Sequence, residues 1–110
     1  MKNVMLLITK ISKGGCIEKE VRYFKANDDF ECIKIKGDTT EECQKDILFD
    51  TFSYNYDYSY KYSIELIINN KYISTTNIYK ESYKMITEVI DYPKEIILCR
   101  KELDLDIRKK

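Results

Sequence analysis

From Tyr54 to Ile68 the chain alternates without a break: Tyr54, Tyr56, Tyr58, Tyr60, Tyr62, Ile64, Leu66 and Ile68 occupy every second position. A two-residue repeat belongs to an extended backbone, whose side chains stand alternately on opposite faces. The stretch therefore predicts a strand with a row of rings on one face and a polar face of Asn55, Asp57, Ser59, Lys61 and Ser63 on the other. At ~3.3 Å per residue it would reach roughly 50 Å, several times the length of a usual strand. It calls for a long neighbour on at least one side.

The flanking sequence supplies candidates. Asn3 to Ser12 holds a continuous apolar run and predicts a buried strand. Gly14-Gly15 can turn it back into a second strand, Cys16 to Lys25, with Ile17, Val21 and Tyr23 on one face. "FECIKIK" at 30–36 alternates and reads as a third strand ended by Gly37. A helix then opens at "DTTEECQKDILFDTF", where Thr39 and Glu42 fit a capping box. After the tyrosine strand, "NNK" makes a two-residue reversal into a short strand, Lys71 to about Thr75. Ile78, Ser82, Met85, Ile86, Val89 and Ile90 fall on one arc at 3.6-residue spacing and predict an amphipathic helix, stopped by Tyr92-Pro93. Glu95 to Leu103 closes the order as a strand, with a loosely held tail from about residue 104.

The expected fold class is α+β, in the order β-β-β-α-β-β-α-β: a mostly antiparallel sheet with two helices on one face. This is a ferredoxin-like βαββαβ unit preceded by an N-terminal β-hairpin. The length of 110 residues suits one domain, 1–110. In that arrangement the tyrosine strand lies at a sheet edge. Its neighbour is then the N-terminal hairpin, a second copy of the chain in an edge-paired homodimer, or a foreign protein.

Function is constrained chiefly by what is missing. The chain contains no histidine, no Gly-rich phosphate loop and no nucleophile elbow, so no catalytic residue is assigned and the expectation is a non-enzyme. Cys16, Cys32, Cys43 and Cys99 form no C-x-x-C pair, so neither a metal site nor a cofactor is expected, and reduced thiols point to the cytoplasm. The apolar run Val4 to Ile8 is too short for a signal peptide or a membrane span, so no membrane association is expected. Nineteen basic residues balance nineteen acidic ones, which disfavours a dedicated polyanion binder.

The acids cluster instead: eight lie between Asn27 and Asp50, against three lysines. Asp38, Glu41 and Glu42 at the expected helix start, together with the tyrosine row, form the candidate protein-binding surface. The reading is a protein-binding or inhibitor module. The chain's richness in Lys, Asn, Ile and Tyr suits a phage or mobile-element protein that blocks a host defence protein, such as a nucleic-acid enzyme. The alternative is a single-stranded nucleic-acid or nucleotide-binding domain that uses either the tyrosine row, by stacking bases on it, or a basic patch of Lys71, Lys80, Lys84 and Arg108 to Lys110.

Overall fold

The N-terminal apolar run forms β1 (Lys2–Ile11) and turns back into β2 (Ile17–Ala26). Gly15 takes the positive φ of 82° that the turn demands, and Ser12 N–H donates to the Cys16 carbonyl across its base. One helix, α1 (Asp29–Ser53), follows. The chain then runs as a meander through β3 (Lys61–Ile68), β4 (Lys71–Glu81), β5 (Lys84–Asp91) and β6 (Ile97–Asp104). This computed structural model describes residues 1–12, 15–53, 61–81, 83–91 and 97–105. Its strands form a single antiparallel sheet in the order β2-β1-β3-β4-β5-β6.

The expected two-helix sandwich is thereby overturned, and two segments exchange identity. Residues 30–36 are helix, not strand. Asp28 accepts the Glu31 backbone N–H at 2.9 Å while the Glu31 carboxylate accepts the Asn27 backbone N–H at 2.8 Å. This reciprocal cap starts α1 eleven residues before Thr39, and Thr39 and Thr40 instead bond back to the carbonyls of Ile35 and Lys36 inside the helix. Gly37 is an exposed mid-helix residue and breaks nothing.

Residues 78–90, expected as the second helix, belong to β4 and β5. Ile78 and Thr87 face each other across these strands, as do Thr76 and Val89. Both strands lie inside the sheet and present apolar residues to both faces: Ile78 and Met85 on the helix side, Ile86 on the other. A strand buried on both faces loses its alternation, so the 3.6-residue arc was coincidental. The density of Thr, Ile and Val between Ile73 and Ile90 carries the strand preference.

The "NNK" reversal forms as expected. Asn69 and Asn70 take φ of 49° and 66°, the paired positive angles of a tight hairpin turn. Asn69 also ties that turn to β1, exchanging two hydrogen bonds of 2.9 Å with Asn3.

The helix runs alongside β1. Lys2 pairs with Asp29 at 2.9 Å and Lys10 with Asp46 at 3.2 Å. Those 17 helical steps at ~1.5 Å and 8 strand steps at ~3.3 Å both span roughly 26 Å. Beneath the helix, Val4, Leu6 and Ile8 of β1 meet Ile64 and Leu66 of β3 and Ile78 of β4, with Ile47 and Cys43 from above. Each fully buried branched side chain contributes about 1.5–3 kcal/mol.

Coverage is incomplete, and the reason is geometric. Six strands at ~4.8 Å spacing make a face about 24 Å wide, whereas a helix with its side chains is about 10 Å across. The helix comes closest to β2, β3 and β4. The half of that face toward β6 is left to side chains; on the opposite face Ile67, Thr75 and Ile86 are buried, whereas Val21 and Tyr23 at the β2 margin are exposed.

Candidate functional site

The structure describes only part of the residues singled out from sequence. Tyr54, Tyr56, Tyr58 and Tyr60 lie outside the described residues. Tyr62 is a core residue, 7% exposed: its hydroxyl donates to the Asp46 carboxylate, and the Lys10 ammonium sits 5.6 Å from its ring centroid. β3 pairs with β1 on one side and β4 on the other, so Lys61 to Ile68 is interior and cannot be an edge strand. Within Lys61 to Ile68 the neighbours are β1 and β4.

The acidic group is dispersed along the helix and locally neutralised. Asp38 pairs with Lys34 at 3.3 Å and Glu41 with Lys45 at 3.5 Å. Glu42 takes both guanidinium nitrogens of Arg22, at 2.8 and 3.1 Å. That fork holds the Glu42 carboxyl below its usual range and raises Arg22 in turn. Below the fork, burial pushes the Cys43 thiol up to about 11. The Asp28, Asp29 and Glu31 cluster serves the helix cap and Lys2, and no metal-ligating group occurs among the described residues.

Among the expected cations, Lys71 is exposed. Lys80 is buried, Lys84 pairs with Glu102, and Arg108 to Lys110 lie outside the described residues. All four cysteines are free thiols, Cys16 and Cys99 exposed, Cys32 and Cys43 buried. No helix among the described residues is long and apolar enough to cross a membrane.

Two surfaces stand out instead. The first is the face of β2 and β1 turned away from the helix. Register places Tyr23 beside Met5 and Met5 beside Ile67, with Val21 beside Leu7 in the next row. Ile17, Val21 and Tyr23 are 61%, 43% and 77% exposed. Among the described residues β2 is an outermost strand, paired only with β1, and runs ten residues in unbroken register with it. Lys19 and Lys25 stand on the same face and enter no ion pair among the described residues. The other outer strand differs: β6 carries a register shift, and its open face is occupied by Glu88, Arg100, Glu102 and Lys84 bonded to one another. The apolar face of β2 was legible in the sequence; that it would point away from the helix was not.

The second is a cleft of about 430 Å³ between the first turns of α1 and strands β4 to β6. Ile33, Ile73, Val89 and Leu98 wall it, and Lys36 projects into it from the helix. Lys36 is 7% exposed, and its ammonium donates to the Ser74 hydroxyl at 2.6 Å. Burial lowers its pKa from 10.5 to about 8. No carboxylate pairs with it among the described residues.

Comparison with protein-family models, with curated proteins and with solved structures finds no match for the chain.

Proposed function

We propose that the protein is a non-enzymatic binding module that takes an extended segment of a partner protein onto β2 as a further strand. The observation that supports this most directly is the ten-residue β2 edge, exposed and in unbroken register, with an apolar row beside it. An outer strand offers a column of backbone donors and acceptors, and the side chains next to it select the partner. On the open face the order Lys19, Val21, Tyr23, Lys25 sets apolar positions between two unpaired cations. The matching segment carries acids opposite the lysines and apolar residues between them. Composition supports placing such a module in a phage or mobile element, where occupying a strand edge of a host defence protein would block it.

The test is selection from a displayed library of linear peptides, followed by amide-shift mapping and affinity measurement. Enriched peptides should be extended and acidic and should perturb Ile17 to Ala26. Affinity should fall up to about tenfold in the Lys19→Glu/Lys25→Glu variant, as expected for two exposed charge pairs. Peptides that map elsewhere, or that ignore the charge reversal, refute the proposal. So does steeply salt-dependent binding of single-stranded oligonucleotides to the same face.

A further inference from the structure

The Lys36 cleft is a second site, on the helix side of the sheet and toward the opposite edge from β2. We propose that it binds a small apolar monocarboxylate, with the carboxylate on the Lys36 ammonium and the hydrocarbon body between Ile33, Ile73, Val89 and Leu98.

Three observations carry the assignment. The first is a buried cation left with a neutral partner. An ammonium removed from water is costly unless a counter-charge accompanies it, yet among the described residues Lys36 meets only the Ser74 hydroxyl. A carboxylate supplies the missing charge and further acceptor lone pairs. The second is size and lining: about 430 Å³ lies within the range of small-molecule pockets, and the walls are predominantly apolar. Two of the lining hydroxyls are already engaged, Thr40 with the Lys36 carbonyl at 2.8 Å and Thr87 with Gln44 at 3.0 Å. The third is Asp91, the one carboxylate among the described residues that line the cleft. It lies directly across from Ser74 in the strand register, yet it forms no ion pair with Lys36. Its charge opposes a second negative group, so the site favours a monoanion over a dianion. With its pKa near 8, Lys36 remains mostly protonated at neutral pH and provides the cation the ligand needs.

Calorimetric titration of the full chain with octanoate, octan-1-ol and suberate tests the assignment. Octanoate should bind at millimolar concentration or below, and the alcohol and the diacid at least about tenfold more weakly. The loss of one charge-assisted bond is worth that factor. Lys36→Met should cost octanoate a similar factor while leaving the fold intact. In an NMR titration of the isotope-labelled lysines, saturating octanoate should raise the pKa of Lys36. Equal binding of octanol, octanoate affinity unchanged in Lys36→Met, or no binding of octanoate at millimolar concentration each overturns the proposal. The alcohol comparison uses the wild-type protein and does not depend on any variant folding.

Discussion

Replacing Lys36 with methionine should stabilise the protein, although it removes a hydrogen bond. Burial lowers the Lys36 pKa from 10.5 to about 8. A folded-state pKa below the unfolded one means that the folded protein holds the proton less well than the unfolded chain. The resulting penalty is complete below about pH 8 and fades as the pH rises toward 10.5. At about 1.4 kcal/mol per pKa unit the ceiling is about 3 kcal/mol. Losing the Ser74 partner subtracts about 0.5–1.5 kcal/mol, and methionine fills much the same volume as the lysine stem. The net gain at neutral pH is about 1.5–2.5 kcal/mol. Urea unfolding of both proteins at pH 7 and again near pH 10 measures it. Other groups that titrate in the alkaline range do so in both proteins and cancel in the difference. The advantage should shrink at the higher pH. A variant less stable than wild type at pH 7, or a gain that does not change with pH, would show that the ammonium is not penalised by burial.

Gly37 sits mid-helix, and a Cβ built on it meets nothing within 4 Å, so Gly37→Ala should raise stability by about 0.5–1 kcal/mol in thermal or urea melts. A thiol reagent should modify Cys16 and Cys99 quickly. Cys32 and Cys43 should react only on the timescale of unfolding, because burial raises both thiols; four thiols that react at one rate would contradict the packing of α1. Ile64→Ala empties a fully buried position beneath the helix and should cost about 2–5 kcal/mol in urea unfolding.

The legible parts of the fold were those where a single local cause decides the outcome. β1 announces itself by an unbroken apolar run, the reversal at Asn69 and Asn70 by residues that tolerate positive φ, and β3 by alternation. The helix was obscured because its buried arc is Cys32, Lys36, Thr39, Cys43 and Ile47, with only one large apolar side chain among them. A window scored for hydrophobic periodicity has little to find there. Asp28 and Glu31 did carry a start signal, the same pattern that Thr39 and Glu42 carry further on, and only packing distinguishes the two. The Lys36 cleft was hidden for a related reason. In an alternating reading of 30–36, Lys34 and Lys36 form one solvated face, whereas on a helix they lie about 200° apart and one of them turns inward. Strand β3 was recognised but misplaced, since alternation reports which face is buried and says nothing about which strands lie beside it.

One helix over six strands leaves two kinds of uncovered surface, and their separation has a measurable consequence. The cleft is bounded by α1, β4, β5 and β6 with Leu66 of β3, and the docking edge by β2 and β1 on the other face. Among the described residues none walls both, although β3 lends Leu66 to the cleft and Ile67 to the row beside Met5. Sites that share no partner and no two-state element change one another's affinity little. Octanoate at saturation should therefore leave the affinity of a β2-binding peptide within about twofold, about 0.4 kcal/mol, in a competition-free titration. A larger shift in either direction would mean that the helix moves as a body when the cleft fills. The route open to such a movement is the bidentate contact between Glu42 and Arg22, which joins α1 directly to β2. Arg22→Lys breaks that fork while keeping the charge, so it should abolish any coupling carried in this way and leave both individual affinities in place.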